Sequence, residues 1–229
     1  MTAVYCFSGS GHSRAVAEYF AKRLNVDILN IGEKPVAQKM ICRTAIVVFP
    51  VYCQNIPEPV KSFLPCLKAE YIVFIATYGK MWHGNVLWEA AKAACGKVIA
   101  GAYIPIGHTY LRGNAEFPKE GLSAIIERIE APRLAVIPKS SKNIFADFFP
   151  AWRSRLSVKI TRNKDCNECG LCAERCPMQA IHSGKIKCNC IRCLRCVNLC
   201  PRAALEFKLR PILKKYLSKN REESLKVYL

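Results

Sequence analysis

Residues 166–177 read CNECGLCAERCP and residues 190–201 read CIRCLRCVNLCP, so one arrangement, C-x2-C-x2-C-x3-C-P, occurs twice. Nothing else in the chain restricts its folding as tightly. Three cysteines at this spacing wrap one corner of a four-iron cube. The fourth cysteine of each run reaches the other cube, which binds the two runs into one interlocked unit. The expected ligands are Cys166, Cys169, Cys172 and Cys200 for one 4Fe–4S cluster and Cys190, Cys193, Cys196 and Cys176 for the second. Pro177 and Pro201 then turn the chain away after each fourth ligand. Zinc is the competing reading, but its sites take paired C-x2-C knuckles with four ligands each, and two triplets suit it poorly.

Of the 14 cysteines, Cys6, Cys42, Cys66 and Cys95 read as small apolar packing residues and Cys188 as a spare thiol, whereas Cys53 falls in a candidate binding loop. Metal ligation accounts for this abundance better than a disulfide framework if the protein stays in the reducing cytoplasm, which is the expectation here. The amino terminus does not read as a secretory signal, because Ser8, Gly9 and Gly11 interrupt its apolar start before Arg14. No apolar run approaches the roughly 18 residues of a membrane-spanning helix. With 229 residues, 51% of them hydrophobic, the chain has material for one sizeable core and a small appendage.

Charge is uneven. Residues 1–150 carry 17 Lys+Arg against 11 Asp+Glu, and residues 151–229 carry 18 against 6, so the smaller part holds +12 of the total +18. Arg175, Lys185, Lys187, Arg192, Arg195 and Arg202 interleave with the ligand cysteines. They would raise cluster potentials or form a docking face for an acidic redox partner protein, and a plain solvated surface stays open. Contact with a membrane surface stays open too, while nucleic acid is the weaker reading.

Before the cysteine runs, apolar segments at Val4–Phe7, Ala45–Phe49, Tyr71–Ala76 and Val98–Tyr103 read as buried strands. Helical patterns follow Ser13 and fall at Pro57–Leu67, Gly84–Ala94 and Gly121–Ile129. Such alternation implies a parallel sheet wound on both faces, with ligands beyond the carboxyl ends of its strands. Three loops lie there. Ser8-Gly9-Ser10-Gly11-His12-Ser13 combines hydroxyls and glycines ahead of a helix, a cradle for a phosphate monoester, although a plain turn with Ser13 as helix cap is an equal reading. The loops Pro50-Val51-Tyr52-Cys53-Gln54-Asn55 and Thr77-Tyr78-Gly79 continuing to Trp82-His83-Gly84-Asn85 offer aromatic and amide groups that could sandwich a flat heterocycle.

The first loop is similar to the phosphate loop of flavodoxin-like proteins, and PVYCQNIP and TYGKMWHGN stand where their two isoalloxazine loops stand. That resemblance covers roughly residues 1–150 and implies FMN. Residues 157–207 resemble bacterial-type two-cluster ferredoxins. Together the order resembles the ferredoxin–flavodoxin fusion (EFR-type) family, iron–sulfur flavoproteins of anaerobes. Departures are Cys53, Gln54 and Asn55, where related fusions are glycine-rich, and His12, where they have Asn. The expected fold is α/β: a flavodoxin-like doubly wound parallel sheet (1–150), a small α+β ferredoxin domain with two clusters (151–207), and a basic amphipathic helix (208–229) that includes Arg221. The implied function is electron transfer between the clusters and FMN, converting one-electron and two-electron traffic. A flavin-dependent reductase, with His83, His108 or Tyr110 as proton donor, is the alternative. A homodimer is left open.

Overall fold

The protein is described by a computed structural model covering residues 1–32, 41–111, 115–147, 150–182, 185–219 and 224–229. Strands β1 (Thr2–Cys6), β2 (Ile28–Asn30), β3 (Ile41–Pro50), β4 (Lys68–Tyr78) and β5 (Lys97–Pro105) form a parallel sheet in the order β2-β1-β3-β4-β5. This is the flavodoxin-like doubly wound order, whose switch point lies between β1 and β3. Along β1 the side chains alternate. Val4 and Cys6 enter one core with Val16 and Phe20 of α1 (His12–Leu24) and Ile125 of α4 (Ser123–Glu130). Tyr5 enters the other with Phe63 of α2 (Glu58–Phe63) and Leu87 of α3 (Val86–Ala93). Both sets are apolar because both faces are covered, which is why these strands read as continuous apolar runs.

Residues 131–147 do not hang free as a linker. Ala135 N–H donates to Val98 O along β5, and Ile137 is buried over Gly101, where an added Cβ would stand 2.7 Å from its Cδ1. Farther on, α5 (Pro150–Ser157) leads into β6 (Val158–Arg162), which pairs antiparallel with β9 (Leu205–Leu209). Between them lie α6 (Leu171–Glu174), a two-residue pair β7 (Ile181–His182) and β8 (Lys185–Ile186), and α7 (Arg195–Leu199). Ile160, Ile181, Leu194 and Leu205 make this part's own core.

The expected helix over 208–229 is replaced by three pieces. β9 runs to Leu209, α8 occupies only Pro211–Leu217, and Lys226–Tyr228 (β10) pairs antiparallel with β5 at the edge of the main sheet. Two signals explain it. Leu205, Phe207 and Leu209 alternate at period two, and Pro211 opens a new helix rather than continuing one. Arg221 lies outside the described residues.

Candidate cofactor sites

The two cysteine runs repeat in conformation as well as in sequence. Glu168 (φ 58°), Gly170 (φ 77°) and Gln179 (φ 47°) of the first match Arg192 (φ 56°), Leu194 (φ 61°) and Ala203 (φ 48°) of the second. Left-handed backbone at three equivalent places, five of the six without glycine, means that the loop path is imposed by its surroundings rather than by local preference. The fourth cysteines match too: Ala180 N–H donates to Cys176 Sγ at 3.3 Å and Ala204 N–H to Cys200 Sγ at 3.2 Å. Such N–H donors stabilise a negative sulfur.

Cys190, Cys193, Cys196 and Cys176 line one small, mostly apolar cavity, closed by Ile181 and Arg195. The fourth cysteine of the first run thus stands with the triplet of the second. Burial pushes Cys193 up to about 11 and Cys196 up to about 12, the neighbouring thiols adding to both, so a metal bound by these sulfurs would have to displace their protons. Cys166 and Cys169 act electrostatically on Cys172, whose thiol is raised chiefly by burial, while Cys200 closes α7. Cys169 is exposed and the second triplet is buried, so the two sets differ in access to solvent. Among the described residues no three Cys, His, Asp or Glu side chains converge on a single ion. Cys66 and Cys95 are exposed rather than packed, whereas Cys6 is buried as expected.

The three loops meet in a cleft of about 560 Å³, a size ordinary for a cofactor pocket. Ser10, His12, Ser13, Pro50, Val51, Tyr52, Cys53, Gln54, Thr77, Tyr78, Gly79 and Trp82 line it. At one end are the hydroxyls of Ser10 and Thr109, 3.5 Å apart, and of Ser13 and Thr77, 2.7 Å apart. The 13-residue α1 begins beside them with Gly11 (φ 96°) as cap, no side-chain cap hydrogen bond among the described residues and no acid in its first turn. Hydroxyls and uncapped N–H groups fit a phosphate. The alternative, Ser13 as helix cap, does not hold, because its hydroxyl is bonded to Thr77 instead.

Seven expected residues lie elsewhere. Ser8 and Gly9 face the cysteine runs, and Gly11 turns the chain. Asn55 bonds Cys53 O, Ala146 O and Lys142 Nζ, tying down the loop before α5. His83 is buried, stacked 3.7 Å from the Tyr103 ring, with Nδ1 bonded to Gly84 O and Nε2 to Lys226 Nζ. It is a packing residue, not a proton donor in the cleft. Gly84 (φ 62°) accepts from the Tyr103 hydroxyl, and Asn85 stands at the N-cap position of α3 with no side-chain cap hydrogen bond among the described residues. Cys53 and Gln54, at φ 51° and 64°, adopt the left-handed backbone that glycines would take more easily.

A fourth loop, Gly107 to Tyr110 beyond β5, completes the cleft. Sequence reasoning named His108 and Tyr110 only as proton donors, although the rule that singled out the other loops also applies beyond this strand. His108 Nδ1 accepts the Tyr110 N–H at 3.2 Å, which leaves the proton of the neutral ring on Nε2. Burial, with His12 adding, lowers this imidazole to about 4.

Cleft and cavity share a wall. Tyr110 lines the cleft while its hydroxyl donates to Arg192 O at 3.1 Å, and the buried Tyr52 hydroxyl, without a partner among the described residues, feels Cys193. Arg195, 6% exposed, donates to Ser8 O from Nη2 at 3.0 Å and from Nε at 3.3 Å, and stands 5.5 Å over the Phe7 ring. Asn198 reaches Gly9 O at 3.4 Å. Gly9 is needed for closeness: an added Cβ would lie 2.2 Å from Cys193 O.

Comparison with known proteins bears on the cysteine-rich half. Residues 161–182 match the 4Fe-4S binding domain family. The match supports at least one 4Fe–4S cluster and iron–sulfur electron transfer. An uncharacterized protein of Methanocaldococcus jannaschii, MJ0749, is 41% identical over 66 residues, which is 28% of this chain and 24% of that protein. The chain therefore spans about a quarter of that relative's length. The solved structure of the Trp repressor binding protein from Bacillus subtilis aligns with 58% of this chain and 99% of its own, at 12% identity and a TM-score of 0.33. Among the described residues no helix is long and apolar enough to cross a membrane.

Proposed function

We propose that this chain is an electron-transfer iron–sulfur flavoprotein with two 4Fe–4S clusters and FMN. The carrying observation is the shared wall: four cysteines of both runs line one cavity, and Cys193, Tyr52, Tyr110 and Arg195 separate it from the cleft built by the flavodoxin-like loops. In this reading Cys190, Cys193, Cys196 and Cys176 hold the cluster nearer the cleft. Cys166, Cys169, Cys172 and Cys200 hold the outer one, where an acidic partner protein meets the basic surface. Bound flavin supplies the exchange between single electrons and pairs. The chain's residues do the rest: Ser10, Ser13, Thr109 and the first turn of α1 bind the phosphate, Tyr52, Gly79 and Trp82 flank the ring, and Arg195 joins the phosphate loop to the inner cysteines.

A second form of the reading, a reductase, is favoured by the Nε2–H of His108, a neutral donor in the cleft at neutral pH. Anaerobic purification with iron, sulfide and flavin counted per chain tests the proposal. Eight irons, eight sulfides and one flavin are expected, by the composition of two cubes and one FMN site (roughly, within losses on purification). A protein that takes up iron but no flavin, or half the iron, overturns the corresponding part.

A further inference from the structure

The wall of the cleft opposite the flavodoxin-like loops comes from the cysteine-rich half, and it is unlike a packing surface. Ile212 of α8 is 76% exposed and Tyr216 40% exposed, yet both line the cleft together with Leu213. Leu217 is the buried residue of that helix. An apolar helix face turned toward a cleft rather than into a core is a surface for an occupant. Arg210 stands beside it. Its backbone N–H is bonded to Ser157 O, while its guanidinium has no partner among the described residues. Among the described residues no Asp or Glu lines the cleft and Arg210 is the fully charged lining side chain, with His12 and His108 as the other basic groups.

We propose that this outer half of the cleft binds a small organic carboxylate with a flat apolar body. The Arg210 fork takes the carboxylate, a pairing for which guanidinium geometry is suited and ammonium geometry is not. Ile212, Leu213 and Tyr216 cover the body. His108 offers its Nε2–H from the cleft wall. The proposal deepens the reductase form of the reading above and rests on it for the inner boundary of the site.

The test is calorimetric titration of the cluster-loaded protein, with and without added FMN, using cinnamate, acetate and cinnamyl alcohol as probes. Cinnamate is expected to bind at least tenfold more tightly than either control, since each control lacks one half of the recognition. Arg210→Gln is expected to weaken cinnamate at least tenfold, Arg210→Lys less, and Ile212→Ser several-fold. Both positions are exposed, so circular dichroism should be unchanged. Equal cinnamate affinity in Arg210→Gln, or no preference over acetate, overturns the site. So does competition between cinnamate and FMN, which would make the carboxylate a mere occupant of the flavin's place. Arg210-dependent cinnamate binding in a protein that takes up no FMN sinks the flavin reading and leaves the carboxylate site standing.

Discussion

Replacing Gly9 by alanine isolates the closeness of the two parts from every other property of the loop that precedes α1. The new Cβ would sit 2.2 Å from Cys193 O and 2.7 Å from Cys193 Cβ. Comfortable separations begin near 3.5 Å, so the loops have to part by about 1 Å. The first obstacle is backbone, so no rotamer relieves it. Overpacking of this kind costs about 3 kcal/mol, and if the loops part instead, the bonds from Arg195 to Ser8 O, worth about 1.5 to 3 kcal/mol, are lost. Either route gives a similar loss. Gly11→Ala is the control: nothing lies within 4 Å of its added Cβ, and only its φ of 96° is unfavourable, at about 1 kcal/mol. Urea unfolding followed by circular dichroism should rank Gly9→Ala clearly below Gly11→Ala, with faster trypsin cleavage between residues 131 and 147. A Gly9→Ala protein within 0.5 kcal/mol of the parent, a margin of about one surface substitution, would refute the argued contact.

Three further outcomes are expected. Cys176→Ala should resemble Cys193→Ala, not Cys166→Ala, in the paramagnetic spectrum of its remaining cluster, because Cys176 lines the cavity of the second triplet. Arg195→Met should lose about 1.5 to 3 kcal/mol of stability and weaken FMN binding, with Arg195→Lys intermediate, as read by urea unfolding and flavin titration. His108, lowered to about 4, is neutral where its unfolded counterpart titrates near the ordinary 6.5. The unfolded chain then binds the extra proton, so stability is full above pH 6.5 and falls toward pH 4, by about 3 kcal/mol from this group. In imidazole NMR His108 should keep its proton on Nε2 and stay untitrated above pH 5; His108→Gln should flatten the stability loss.

The parts of this molecule legible in its sequence are those governed by short-range rules. The thiol spacing sets Cys176 with Cys190, Cys193 and Cys196, which do line one cavity, because chain length between neighbours limits which thiols can gather. β1 and β3 to β5 announce themselves because burial on both faces leaves no polar alternation to confuse the pattern. The misses are long-range. His83 looks like a loop residue beside Trp82 until Tyr103 and Lys226, both distant in sequence, enclose it. Gly9 and Ser8 look like phosphate ligands until Cys193 and Arg195 arrive against them from nearly 190 residues away. The tail misleads because Leu209, Ile212, Leu213 and Leu217 satisfy a helical spacing by accident across a strand end and a short helix.

Strand β10 has a consequence for how the halves are joined. Because Lys226–Tyr228 returns to pair with β5, the cysteine-rich segment leaves the main sheet and comes back to it, as an insert in its host rather than a pendant on a tether. A graft anchored at two points has little freedom to swing. Severing the chain near residue 150 would therefore not yield two independent modules: the first would lose its edge strand, and the second would keep the three residues Lys226–Tyr228 that belong to its neighbour's sheet.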